Sequence, residues 1–230
     1  MRNEEIASLL GRTPAFSGLD RQTLEQMARS AHSRSYPRGG SIFHEGESGD
    51  CLYVVAGGLV KVFTASESGD EMLLATLRPP DMFGELALID GGPRSASAAA
   101  LEPTLLLVIT RTAFFELIRR YPSALEGVLR SVATLLRNTL GRASDLVFLD
   151  LPGRVAKMLV EIAEERGEDM VGGIGLSLGI KQSDFAAMVG GSRPTVNQIL
   201  HAFEERGYLM IHGRQIVVKQ LDQLRRRAAL

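Results

Sequence analysis

The feature that most restricts what this chain can become is a mostly apolar run spaced alternately three and four residues apart. After Tyr121-Pro122 it falls at Leu125, Val128, Val132, Leu135, Thr139, Arg142, Leu146 and Leu149. Three and a half heptads at this spacing predict one long helix with a coiled-coil seam. The same spacing also serves a helix packed on its own domain. A separate sheet core upstream makes pairing of two chains along the seam the better explanation. Thr139 and Arg142 are the polar members; Thr139 either sets register or faces a ligand held at the interface.

On either side the texture changes. Over residues 16–110 turn signals recur at Arg38-Gly39-Gly40, Ser48-Gly49-Asp50, Gly57-Gly58, Ser68-Gly69-Asp70, Pro79-Pro80-Asp81 and Gly91-Gly92-Pro93. Between them lie short β-prone runs such as Leu52-Tyr53-Val54-Val55, Leu59-Val60-Lys61-Val62-Phe63 and residues 105–109. Short strands at this spacing predict an antiparallel barrel or roll. Beyond the seam, Asp150-Leu151-Pro152-Gly153 can cap a new helix over 154–165, with Pro152 in its first turn. A Gly-rich stretch over 171–179 follows. Two short helices then fall at 181–189 and 192–206, parted only by Gly190-Gly191. An apolar hairpin, 208–211 and 215–218, turns at His212-Gly213-Arg214. The whole reads as an α+β chain in three zones: 1–122 a β-roll with N-terminal helices, 123–149 a central dimerisation helix, and 150–230 a winged helix-turn-helix.

Composition narrows the function classes. In 230 residues, 45% are hydrophobic and 23% charged, which suits a soluble protein with real cores. The longest apolar runs are too short for a bilayer. The N-terminus carries Glu4 and Glu5 and has no basic-then-apolar pattern, so a cytoplasmic location is expected. The single cysteine, Cys51, cannot form an internal disulfide or a cysteine-rich metal site, and His32, His44, His201 and His212 lack metal-ligand spacing; no metal is expected. No catalytic Ser/His/Asp or Cys/His set is visible, so no enzyme is expected. From Leu151 onward 11 Lys and Arg face 9 Asp and Glu, a net of +2, while the remainder carries 15 against 18, a net of −3. A mildly basic end on an acidic body is compatible with DNA.

Two helices joined by a glycine-containing turn suggest a helix-turn-helix. Ser192 is a good N-cap for the second helix, and Pro194 sits in its first turn, where a missing N–H costs little. Val196, Ile199, Leu200 and Phe203 form the buried stripe. Arg193, Pro194, Asn197, Gln198 and His201 are left facing outward. Arg can fork onto guanine, and Asn or Gln onto adenine; Thr195 can donate to a phosphate. A polar solvated face on an ordinary helical hairpin would use the same residues.

A second cluster lies in the first zone. Gly84 lets backbone approach a ligand, and the run after it can start a short helix whose amides favour an anion. Arg94 offers a forked cation suited to phosphate, and Ser95 a hydroxyl donor. Glu85 makes sense beside an anion if it accepts from a sugar hydroxyl. The alternative is a plain turn with a surface arginine and a helix-capping glutamate.

Both clusters point to one family. Phe83-Gly84-Glu85-Leu86-Ala87-Leu88 followed by Pro93-Arg94-Ser95-Ala96 resembles the phosphate-binding cassette of cyclic-nucleotide-binding domains. Gly191-Ser192-Arg193-Pro194-Thr195-Val196-Asn197, with the Glu204-Glu205-Arg206-Gly207 helix end, resembles the recognition helix of that group's bacterial regulators. The junction Phe148-Leu149-Asp150 looks like the family hinge. In this order along the whole chain, the motifs resemble the CRP/FNR family of transcription regulators, nearest the cyclic-AMP receptor protein branch.

The resemblance implies a homodimer that binds a double-stranded DNA operator under control of a cyclic nucleotide, cyclic AMP first, with RNA polymerase as a further partner. It implies that Gly84, Glu85 and Leu86 take the ribose–phosphate side, Arg94 and Ser95 the cyclic phosphate, and Thr139 the adenine. Arg193 would contact a guanine and Thr195 a phosphate. Leu140 stands where the family often has a second polar residue, which leaves the nucleotide's identity open. A vestigial pocket or a different effector also stays open. Pro194 and Gln198 replace a familiar Glu and Arg, so the half-site should differ. One cysteine cannot supply the oxygen-sensing branch's cluster.

Overall fold

The computed structural model describes residues 1–66, 71–170, 172–177, 182–213 and 215–229. The turn expected at Ser68-Gly69-Asp70, the 178–181 segment and Arg214 of the hairpin turn lie outside them. The chain divides into two compact units, Met1–Arg137 and Asn138–Leu230, and the longest helix contributes to both.

The first unit opens with α1 (Asn3–Arg12) and α2 (Arg21–Ser30). Eight strands and a short helix follow: β1 (His32–Tyr36), β2 (Ser41–Phe43), β3 (Cys51–Gly57), β4 (Val60–Ala65), β5 (Glu71–Leu77), β6 (Met82–Phe83), α3 (Glu85–Asp90), β7 (Ser97–Ala100) and β8 (Thr104–Thr110). Then come α4 (Arg111–Arg120) and α5 (Pro122–Phe148). The strands form two four-stranded sheets, ordered β1-β8-β3-β6 and β2-β7-β4-β5, and every pairing is antiparallel. This is the roll that the turn spacing predicts.

Strand β3 shows why its sequence is a continuous apolar run rather than an alternating one. Leu52 and Val54 point into a core shared with the helices, beside Leu10, Phe16, Leu107, Ile109 and Phe114. Cys51, Tyr53 and Val55 point the other way, into the roll, beside Phe43, Phe83 and Leu106. A strand covered on both faces has no polar side.

The long helix corrects one expectation. Val128, assigned to the seam by spacing, is buried in the unit's own core with Ala124. Gly127 lies so close to the α1–α2 connection that a Cβ there would meet the carbonyl oxygen of Ala15. The seam members Leu125, Leu135 and Leu146 do lie outward, and Leu129, Leu136 and Leu140, which the spacing passes over, are exposed with them, all by 42–60%, with Val132 half-buried. The helix has two apolar sides over its first turns, and periodicity does not say which one covers the roll's helices.

In the second unit, Asp150 caps α6 (Leu151–Arg166), accepting from the Gly153 amide at 2.9 Å, with Pro152 in the first turn. Next are β9 (Glu168–Met170), β10 (Gly173–Ser177), α7 (Gln182–Met188), α8 (Arg193–Glu205), β11 (Leu209–His212), β12 (Gln215–Val218) and α9 (Leu221–Arg227). The strands form an antiparallel sheet ordered β11-β12-β10-β9. Val155, Leu159, Phe185, Val196, Leu200 and Phe203 share one core with Leu209, Val218 and Leu224. Helix α9 had no counterpart in the sequence reading.

Candidate ligand site and nucleic-acid interface

Arg94 is the centre of the first cluster. It is only 4% exposed. Its Nη1 donates to Gly84 O at 2.6 Å and its Nη2 to Cys51 O at 2.8 Å. The guanidinium lies over the Phe43 ring, 4.3 Å from its centroid, and 5.7 Å from that of Tyr53. Phe43, Tyr53 and Phe83 pack on one another with centroids 5.2–5.9 Å apart, so the cation has an aromatic floor. The Nε of Arg94 is buried and has no hydrogen-bond partner. Such a donor is costly inside a protein, and an anionic oxygen is the acceptor a guanidinium edge suits best.

The backbone around it is built for close approach. Gly84 has φ +79°, a left-handed conformation that disfavours a side chain. A Cβ there would fall 2.8 Å from Arg94 Nη1, and one at Gly49 would fall 2.8 Å from Arg94 Cζ and 2.7 Å from the Ala87 Cβ. The loop before β3 is clamped to Arg94 through backbone bonds, Arg94 N to Glu47 O at 2.8 Å and Gly46 N to Arg94 O at 2.9 Å.

Glu85 opens α3 and is 9% exposed. Burial pushes its carboxyl above the ordinary range, against the pull of its own amide and of the Arg94 charge. Leu86 is half-buried and Ser95 exposed. On this wall of the roll Gly84 meets Arg94 directly and Glu85 feels its charge, with Leu86 and Ser95 beside them in the chain. Phe43, Gly49, Cys51 and Tyr53 complete it and were not anticipated. The Ser48-Gly49-Asp50 turn was the one available hint. Thr139 and Leu140 belong to α5 in the second unit; Thr139 makes an interaction of its own.

The second cluster sits on α8. Ser192 Oγ accepts from the Thr195 amide at 3.3 Å and pairs with Thr195 Oγ1 at 2.8 Å, so the N-cap is realised. Ser192, Arg193, Pro194, Thr195, Gln198 and His201 are exposed along one side, and Val196, Leu200 and Phe203 are buried on the other. Asn197 is half-buried and its Nδ2 donates to Gln182 Oε1 of α7 at 3.5 Å. His201 Nδ1 lies 3.3 Å from Glu204 Oε2, while Glu204 Oε1 accepts from the Ile211 amide at 2.8 Å. Those contacts, the amide first, hold the Glu204 carboxyl below its usual range and join the reading helix to the β11–β12 wing.

A roll that can hold an anion and a capped helix that can enter a groove, carried on one chain, define a ligand-responsive DNA-binding regulator. Comparison with known proteins agrees. Residues 33–121 match the cyclic nucleotide-binding domain, and residues 153–227 match the Crp-like helix-turn-helix domain. The chain is 36% identical over 220 residues to the CRP-like cAMP-activated global transcriptional regulator of Mycobacterium tuberculosis, covering 96% of this chain and 98% of that one. It is 35% identical over 208 residues to the cyclic AMP receptor protein of Thermus thermophilus, covering 90% and 93%. Among solved structures, a CooA mutant from Carboxydothermus hydrogenoformans is similar, with a TM-score of 0.77, 26% identity, and 87% and 88% of the two chains covered. The chain belongs to the CRP/FNR family of transcription regulators.

Among the described residues, no group of three or more His, Cys, Asp or Glu is placed to hold a metal ion. None of the helices so described is long and apolar enough to cross a membrane.

Proposed function

We propose that this protein is a homodimeric, cytoplasmic regulator whose affinity for a double-stranded DNA operator rises when cyclic AMP binds each roll. The observation that carries the reading is the buried Arg94, whose Nη1 donates to the left-handed Gly84 and whose unpartnered Nε lies beside Gly49. Arg94 and Ser95 hold the cyclic phosphate. Glu85 accepts from the ribose hydroxyl, and the Gly84–Leu86 backbone closes over the sugar. Thr139 reaches the base, with Leu140 beside it as an apolar neighbour. The two relatives named for cyclic AMP, at 36% and 35% identity over nearly whole chains, support that nucleotide over others.

On DNA, Arg193 forks onto a guanine, Gln198 and Asn197 read adenine, and Ser192, Thr195 and His201 contact the backbone near Pro194. Dimerisation is supported by the outer face of α5. A contiguous exposed apolar stripe such as Leu129, Leu136 and Leu140 marks an interface. Paired reading helices then meet successive major grooves, roughly 34 Å apart. RNA polymerase is the partner through which such binding acts on transcription.

The test is selection of bound DNA from a random pool with and without cyclic AMP, together with calorimetric titration of cyclic AMP and cyclic GMP. Enrichment of a palindrome only with cyclic AMP is expected. Arg94→Ala should weaken nucleotide binding about 10- to 150-fold, the worth of a charge-assisted bond of roughly 1.5–3 kcal/mol. Nucleotide binding unaltered by Arg94→Ala refutes the site. No heat from either nucleotide, with DNA binding intact, assigns the roll a different effector.

A further inference from the structure

One side chain in the second unit holds three backbone carbonyls from two connecting segments. Arg154, in the first turn of α6, donates from Nη1 to Leu149 O at 2.8 Å, from Nε to Val189 O at 2.8 Å and from Nη2 to Gly190 O at 3.4 Å. Leu149 directly follows α5, whereas Val189 and Gly190 form the turn between α7 and α8. One turn further along α6, Lys157 Nζ meets Asp145 Oδ1 of α5 at 2.7 Å. Both side chains of that pair are about four-fifths shielded, at 21% and 22% exposure. Leu146 of α5, next to Asp145 in the chain, lies against Gly190, 3.4 Å from where a Cβ would stand.

The spacing makes this a two-point attachment. Arg154 and Lys157 are three residues apart on one face of α6, and Asp145 and Leu149 are four apart at the end of α5. Two points fix rotation as well as distance. The planar guanidinium, with five donors in a fixed fork, serves three acceptors at once; a lysine ammonium at the end of a flexible stem does not reproduce that geometry. Gly190, at φ +67°, ends the short helix immediately before the Ser192 cap, so what holds its carbonyl also holds the start of α8.

We infer that Arg154 and Lys157 are positioning residues that transmit the orientation of the end of α5 to the reading helix. Arg154 joins the α5 end to the helix-turn-helix turn, and Lys157 sets the rotation of α5 against α6. The inference rests on the proposal that cyclic AMP controls DNA binding through α5. Neither residue touches nucleotide or DNA in that scheme. Their loss therefore changes the ratio of DNA affinities with and without cyclic AMP, rather than both affinities equally.

The experiment measures that ratio by fluorescence anisotropy on the selected operator, in wild type, Arg154→Lys, Lys157→Met and Asp145→Asn. Thermal melting confirms that each variant is folded. Arg154→Lys is expected to bring the ratio down at least fivefold. Lys157→Met and Asp145→Asn should each lower it less, and together no more than either alone. A wild-type ratio above five that Arg154→Lys retains overturns this inference alone. Equal weakening with and without cyclic AMP also overturns it, since that is what a purely structural brace would do. A wild-type ratio of one overturns the functional proposal, and this inference with it.

Discussion

Glu85 is a buried carboxyl whose burial the Arg94 charge only partly offsets. Burial, its largest influence, raises its pKa in the folded roll. An acid whose folded pKa exceeds its unfolded one binds more protons when folded. Its contribution to stability is therefore fully present below the ordinary carboxylate range and is lost as pH rises through the elevated folded value. Near neutrality Glu85 works against the fold, which makes sense if its charge serves a ligand. Glu85→Gln should raise the melting temperature at pH 7 and flatten the pH dependence of melting above about pH 4, the ordinary carboxylate range. It should also weaken cyclic AMP binding about fivefold, the difference of about 1 kcal/mol between a charge-assisted and a neutral hydrogen bond. Calorimetry at several pH values checks both parts, and a lower melting temperature at pH 7 would contradict the assignment. The residues that could be read in the sequence here, Gly84, Glu85, Arg94 and Ser95, sit in two short segments with ligand-like chemistry. Phe43, Gly49 and Tyr53 could not be read, because they reach Arg94 only through strand pairing and the 44–50 loop.

At the scale of elements, local rules carried far. Asp150 and Ser192 were identified as caps from residue type and position, and both accept the expected amide. Ser192→Ala should cost the second unit about 1 kcal/mol, seen as a lower denaturation midpoint in urea with an unchanged slope. The seam of α5 was legible as a helix but not as a surface. The three-four spacing ran through Val128, yet Ala124, Gly127 and Val128 face inward, while Leu129 and Leu136 are exposed beside the seam's own Leu125 and Leu135. Two apolar faces overlap in sequence, and only packing separates them. If the stripe pairs two chains, Leu136→Glu should leave helix content unchanged and halve the mass in sedimentation equilibrium. It should also cut operator affinity far more than it cuts cyclic AMP binding to the roll. A Leu136→Glu protein that sediments as a dimer places the interface elsewhere.

At the scale of the whole molecule, α5 alone among the described elements has residues in both compact units, and the proposed coupling is assigned to it. Any coupling it carries is reciprocal: if cyclic AMP tightens operator binding by some factor, the operator must tighten cyclic AMP binding by the same factor. Couplings of this kind are typically about 1–3 kcal/mol, or about 5- to 150-fold. Titrating cyclic AMP with and without saturating operator should give a ratio equal to that of operator affinities measured with and without cyclic AMP. The two ratios must be compared at one salt concentration, because cationic side chains that neutralise phosphates release counterions and make operator affinity fall steeply with salt. Agreement at a ratio above five would mean that nucleotide and operator favour the same conformation of the protein. A ratio of one in both titrations would reduce the roll to a bystander, even with Arg94 and α8 each still binding its own ligand. That outcome would separate the two halves of the functional reading, which share a chain but stand on different residues.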